Sequence, residues 1–449
     1  MLEFFSTLNS YLWGWPMLIM LLGTHLLMTV RLRVPQRWIF KGIRLSLRKD
    51  KDAQGEVSQF SALATALGAT IGTGNIVGVA TAVSLGGPGA VLWCWLTGVL
   101  GIATKYAEAL LAVKYRVKDD KGRYLGGPMY ALERGLGWKW LAVLFAVFTA
   151  IATLGIGGAV SSNAIATVIS DSFGIPTTYS GAILAVLVAA VLLGGVKSVA
   201  RVCTAIVPFM AVVYLGGCVV ILVFNSDYLL PALRLIAVSA FTPEAVGGGL
   251  AGRGVMLACR YGIARGLFSN ESGLGSAPIL AATARTQNPV RQALISATGT
   301  FWDTVVICAM TGLVIVSSIL AYPDIDYSDG AMLTRLAFAK IPYIGTPLLA
   351  FGLLSFAFST VIGWETYGER SVQYISSRRY VYFYRFIYVL TVFVGSIVSL
   401  TLLWEMSDTF NALMAIPNLL SLVFLNKVIV AETRKYLWEK RLDERADEE

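Results

Sequence analysis

The chain is dominated by apolar runs, about eleven of them, separated by short polar loops from one end to the other. They fall near 11–30, 60–84, 89–113, 140–168, 179–195, 203–224, 247–268, 293–320, 345–366, 383–403 and 410–430. A helix of about 20 apolar residues crosses a hydrocarbon layer of roughly 30 Å. The expected fold class is therefore an all-α polytopic membrane protein with about eleven transmembrane helices. Composition agrees: only 14% of the 449 residues are charged and 56% are hydrophobic, too little charge to cover a soluble protein of that length. No Lys or Arg precedes Arg31, so the first run lacks the basic n-region of a signal peptide and reads as a retained span.

Basic residues fall on alternate loops. Loop 31–57 holds Arg31, Arg33, Arg37, Lys41, Arg44, Arg48, Lys49 and Lys51, and loop 114–123 holds Lys114, Arg116, Lys118, Lys121 and Arg123. Lys197 and Arg201, Arg285 and Arg291, then Arg370, Arg378, Arg379 and Arg385 extend the same side, with the tail from Lys427. The opposite loops, Asp171–Thr178, Tyr322–Asp329 and Trp404–Asp408, hold almost none; Arg234, Arg335 and Lys340 are the exceptions. The positive-inside bias predicts a multi-pass plasma (inner) membrane protein with its N-terminus outside and its C-terminus cytoplasmic. The net charge of +9 is thus a topology signal and a lipid headgroup contact rather than a nucleic-acid surface. The tail from Glu432 (ETRKYLWEKRLDERADEE) reads as an amphipathic helix on the membrane surface. The five cysteines, Cys94, Cys203, Cys218, Cys259 and Cys308, lie singly in apolar segments and read as packing residues. His25 is the only histidine, so a His-based metal site or catalytic triad has no material, and no transition metal or cofactor is expected.

Two runs are poor helices. In the second, ATIGTGNIVG (Ala69–Gly78) gathers three glycines, each costing roughly 1 kcal/mol in a helix interior. Irregular backbone at membrane depth survives only when buried in protein or lining a cavity. Taken alone the stretch also fits close packing of small residues, since Gly74 and Gly78 make a G-x-x-x-G. A nucleotide-binding reading fails for want of a βαβ context. The seventh run, Gly247–Pro278, mixes glycines with Arg253, Arg260, Arg265, Asn270 and Glu271. The seventh lies five runs on from the second, an odd spacing, so they cross in opposite directions, the pattern of an inverted-repeat secondary transporter. Each break leaves N–H groups suited to a carboxylate at one half-helix end and C=O groups suited to a small cation at the other. An amino acid with Na⁺ uses both.

Further polar residues lie at membrane depth. Ser359 and Thr360 are adjacent hydroxyls able to join carbonyls around a cation, although such side chains ordinarily bond back to their own helix. Trp364, one turn on, faces either the same cavity or the membrane interface. Lys105 and Glu108 are spaced to pair, and Asp303 is expected to balance Arg260 or Arg265, with gating or proton binding as the alternative. Asn270-Glu-Ser272 matches a glycosylation sequon but lies toward the cytoplasm and is discarded.

GTGNIVGVATAVSLGGPGAVLWCWLTGVLG (72–101), GGPMYALERGLG (126–137), RGLFSNESGLGSAP (265–278) and AIPNLL (415–420) together resemble the alanine or glycine:cation symporter family over nearly the whole chain. Leu92 and Cys94 stand where that family usually has Phe and Met, and Ser272 where it more often has Ala. The resemblance implies a leucine-transporter-like fold: a five-plus-five inverted repeat behind one extra N-terminal helix, with discontinuous core helices 1 and 6. It divides a single transporter domain, 1–449, into the extra helix (1–31), a first repeat (58–225), a second (240–430) and a cytoplasmic tail (431–449). It implies Na⁺-driven symport of alanine and glycine. Thr73, Gly74 and Asn75 would then meet the substrate, with an added bond from the Asn75 amide. Ala69, Gly72, Ser359 and Thr360 would hold Na⁺, Thr360 touching substrate instead if it turns that way, and Trp364 would close the pocket. Arg265, Asn270, Glu271 and Asp303 are the structural or gating candidates. Ser161, Ser162 and Asn163 stand where a glutamine is expected near the substrate amine; if Ser161 takes that position the pocket is roomier, which brings in glutamine or serine as substrates. Coupling to H⁺ is the other alternative. The expected partners are the amino acid, Na⁺ and membrane lipid, with a monomer as the expected state. A channel lacks a repeated filter motif here, and an intramembrane enzyme lacks a nucleophile–base or metal constellation.

Overall fold

The computed structural model describes residues 1–48, 50, 53–242, 254–325, 330–376, 378–398 and 401–446. The first part of the seventh run, with Arg253, and the end of the acidic loop at 326–329 lie outside the described residues.

The chain is helical almost throughout. Its main helices are α1 (Trp15–Arg31), α2 (the bent pair Gln59–Thr70 and Gly74–Gly86), α3 (Ala90–Lys114), α4 (Lys139–Phe173), α5 (Thr177–Leu193) and α6 (Gly195–Phe224). After them come α7 (Val255–Asn270), α8 (Pro289–Ala321), α9 (Gly345–Ile375), α10 (Arg378–Ile397) and α11 (Thr401–Phe424). Among the described residues six helices are long and apolar enough to cross a membrane, or up to nine if each of three bent pairs is one span. The bent pairs are Leu2–Leu12 with α1, the halves of α2, and α11 with Asn426–Trp438. The apolar window of α3 is 83% buried, which puts it at the centre, whereas those of α6 and α10 are 33% buried. Val212 on α6 and Phe386 on α10 point outward, as a lipid-facing surface requires.

Local chemistry sets the helix starts near the two breaks. Ser58 caps α2 by accepting the Ser61 N–H at 3.0 Å. Asn288 caps α8 by accepting the Arg291 N–H at 2.9 Å, with Pro289 next, where no N–H is needed. Two long helices are not uniform. α4 widens into π turns over Thr153–Val160, and α8 over Phe301–Cys308.

The halves of α2 meet at 51° around Ile71–Thr73, so the glycine-rich stretch is the break that the sequence predicts. Its second half runs antiparallel to α7. Gly86 lies against Leu257 and Ala258, Gly78 against Arg265, and Gly74 against Phe268 and Ser269. α7 itself ends at Glu271, whose φ is +54°, and the turn through Gly273 and Gly275 leads to a short helix, Ala277–Ala281. That short helix packs on the first half of α2. The second interruption therefore lies at 271–276, inside the polar, glycine-rich stretch Gly247–Pro278 but past the apolar run 247–268.

The tail departs from expectation. Its helix stops at Trp438, and the chain then folds onto the start of α8 instead of continuing along a membrane surface. The Asn288 side chain donates to Leu442 O at 2.9 Å and Glu444 O at 2.8 Å, and Ala446 N donates to Gln287 O at 2.8 Å. Buried Arg291 is held between Asp50 at 2.6 Å and Asp443 at 2.7 Å.

Candidate functional site

The two breaks face one small cavity. Its walls are Ala69, Thr70, Gly72, Thr73 and Gly74 of α2, Ile156, Val160 and Ser161 of α4, and Phe268 and Ser269 of α7 with Glu271 beyond it. Thr360 and Trp364 of α9 and Asn411 of α11 complete it. Its free volume of about 30 Å³ holds on the order of two water molecules.

The break exposes backbone groups, and neighbouring helices answer them. Gly68 O accepts from the Thr360 hydroxyl at 3.3 Å, and Ala69 O accepts from the Trp364 indole N–H at 3.2 Å. Ala69, Gly72 and Thr360 are thus brought together. A Cβ on Gly72 would lie 2.8 Å from Thr360 Oγ1, so only glycine lets the chain approach that hydroxyl. Ser359 is fully buried, donates to Phe356 O at 2.9 Å and faces Gly68, outside the cavity wall. Gly157 on α4 leaves the space occupied by the Trp364 Cβ, which seats the indole across the cavity. Ser161 closes the wide stretch of α4 by donating to Ile156 O at 2.8 Å.

Asn411 was missed by the sequence reading. It is 1% exposed, and its Oδ1 has no donor among the described residues. A buried amide oxygen without a partner costs about 1–3 kcal/mol unless something fills the bond. The signal available in sequence was an asparagine in an apolar run, four residues before AIPNLL.

With this geometry in view, comparison with known proteins decides the family. The sodium:alanine symporter family model matches residues 1–449. The chain belongs to that family. It is 49% identical to an uncharacterized transporter of Haemophilus influenzae, over 98% of this chain and 96% of that one. It is 47% identical to the sodium/alanine symporter AgcS of Methanococcus maripaludis, over 96% of each. The crystal structure of MhsT in complex with L-phenylalanine superposes with a TM-score of 0.57 at 14% identity, covering 84% of this chain and 98% of MhsT. The fold is leucine-transporter-like and the protein is a polytopic membrane transporter, not an enzyme.

In this symporter the remaining candidates occupy places the sequence did not foresee. The Asn75 side chain is not in the cavity wall. Its Oδ1 accepts the Gly72 N–H at 2.9 Å, and its Nδ2 donates to Asp303 Oδ1 at 2.7 Å. Asp303 also accepts from Ser269 at 2.9 Å and Thr304 at 2.6 Å. The arginine expected beside Asp303 is replaced by neutral donors, which hold a buried carboxylate without a second desolvated charge. Arg265 lies against Gly78 and is near enough to Asp408 of α11 for their charges to interact. Asn270 Oδ1 accepts the Ser272 N–H at 2.9 Å, and Glu271 accepts the Ser276 hydroxyl.

Lys105 and Glu108 stand 3.9 Å apart, the loose pairing of a carboxylate engaged elsewhere. Glu108 Oε1 accepts Gly273 N at 3.0 Å, Gly275 N at 3.1 Å and Asn418 Nδ2 at 2.6 Å. That carboxylate fixes the turn after α7 and ties it to α11, which accounts for the Asn of AIPNLL.

Proposed function

We propose that this symporter couples Na⁺ entry to uptake of small neutral amino acids, alanine and glycine first, by alternating access. One observation carries the reading: two antiparallel interrupted helices border a cavity whose wall has backbone, hydroxyl and amide groups and the Glu271 carboxyl, with no basic side chain among the described residues. Such a site suits a zwitterion. The substrate carboxylate would take the N–H groups of Thr73 and Gly74, where the second half of α2 begins, and its ammonium group would take Asn411 Oδ1 and the carbonyl end of α7. Na⁺ would sit among the carbonyls of Ala69 and Gly72 and the hydroxyls of Thr360 and Ser359 on α9, all hard oxygen ligands. Trp364 and Phe268 would limit side-chain size, and Ser161 would leave room for serine or glutamine. Asn75 would act on the site indirectly, by fixing the break.

In this reading the eleven helices α1–α11 are eleven spans. Helices α2–α6 (58–225) and α7–α11 (240–430) form a five-plus-five inverted repeat, with the N-terminus outside and the C-terminus cytoplasmic. Antiparallel α2 and α7 support that division. Uptake of labelled alanine into proteoliposomes tests the function. It should rise many-fold with an inward Na⁺ gradient, and uptake indifferent to Na⁺ would refute the coupling.

A further inference from the structure

A second and larger cavity, about 580 Å³, opens on the face that carries the C-terminal tail. It lies between the end of α3, the two-strand ribbon that follows it, the start of α8, and the tail. Lys114, Arg116, Lys118, Arg134, Lys435 and Arg445 line it, against one acidic residue, Glu432, which is already paired with Lys114 at 3.2 Å.

Three of these cations have no acidic partner among the described residues. Among the described residues Arg116 donates to carbonyls, Ala284 O at 2.9 Å, Ala282 O at 3.1 Å and Gln54 O at 3.1 Å, with its guanidinium 4.4 Å over the Tyr124 ring. Burial pushes its pKa down to about 10, and the Tyr124 hydroxyl offsets this only in part. Lys118 reaches the same ring at 6.0 Å. Among the described residues no carboxylate forms an ion pair with Arg116, Lys118 or Arg134.

A positive-inside bias alone does not produce this. On the same face, the cluster around Arg123, Arg370 and Arg385 is matched one for one, with Asp119 at 2.7 Å, Glu56 at 2.8 Å and Glu369 at 2.6 Å. Among the described residues, the fold pairs that cluster with its own acids and leaves Arg116, Lys118 and Arg134 of the other without one. Two planar guanidinium groups beside one ammonium group and a tyrosine ring suit phosphate oxygens, and the N-terminus of α8 adds a helix dipole of the same sign. The volume falls within the range of small-molecule sites.

We propose that this cavity binds a phosphoryl anion carrying two or more negative charges, tying the tail to the ribbon and to the start of α8. The anion comes either from solution or from a lipid headgroup. The test is thermal unfolding of the purified full chain in neutral detergent. Sodium pyrophosphate at about 5 mM and cardiolipin are each compared with a control in which NaCl matches Na⁺ and added choline chloride matches ionic strength. Pyrophosphate or cardiolipin should raise Tm by roughly 2 °C or more over the control, and the double variant Lys118→Ala/Arg134→Ala should lose that rise. Both side chains are exposed, so the variant's own Tm should match wild type in NaCl. A rise with cardiolipin alone assigns the site to lipid, and one with pyrophosphate alone assigns it to a soluble anion. No rise with either ligand, or an equal rise in the double variant, overturns the proposal. Because no transport is measured, these outcomes stand apart from any failure of Na⁺ coupling.

Discussion

Two asparagines border the same break with opposite energetics. Asn75 uses its acceptor on Gly72 N and its donor on Asp303, so both ends of its amide are satisfied in the interior. Asn75→Ala strips both bonds and leaves the Asp303 carboxylate short of a donor; stability should fall by about 2–3 kcal/mol, seen as a lower Tm, with alanine binding lost in parallel. Asn411 is the reverse case, holding an acceptor to which none of the described residues donates. Asn411→Val should leave Tm unchanged or raised, yet weaken alanine binding about tenfold, the worth of one hydrogen bond. Unchanged binding in equilibrium measurements would remove Asn411 from the site. Ser161→Gln carries a specificity prediction: competition by glutamine against labelled alanine should fall by about tenfold or more while glycine still competes.

At the scale of elements, glycines fix how closely helices approach. Gly72→Ala would press its Cβ on Thr360 Oγ1, 2.8 Å away. The expected result is a several-fold rise in the Na⁺ concentration needed for half-maximal uptake, measured by titrating Na⁺ at fixed alanine. The breaks in α2 and after α7 were legible because glycine and polar residues at membrane depth have few other uses. The wide turns of α4 and α8 were not. One extra residue per turn inside an almost uniformly apolar run leaves no periodic trace. Asp303 shows a different limit: in sequence the eye pairs an acid with the nearest arginine, but a low-dielectric interior is served as well by an amide and two hydroxyls. The tail misled through its composition. Its charges form the tail's ties to α8 and to itself rather than the polar face of a longer helix.

Across the whole molecule, ion pairs tie the helices together on the tail-bearing face. Arg370 of α9 meets Glu56, just before α2, at 2.8 Å, and both are buried. Removing one partner of a buried pair costs about 3–5 kcal/mol, and opening lets water reach the stranded acid. Arg370→Ala should therefore expose the cavity from that side, read as faster alkylation of Thr73→Cys in a background without the native cysteines. The small size of the cavity has a consequence for affinity. At about 30 Å³ it cannot admit an amino acid, so the arrangement described here is one that substrate has to displace. Measured dissociation constants then report the intrinsic constant divided by the fraction of molecules already open. Substitutions far from the cavity that raise this fraction will tighten apparent binding while slowing turnover, so affinity and transport rate will move in opposite directions.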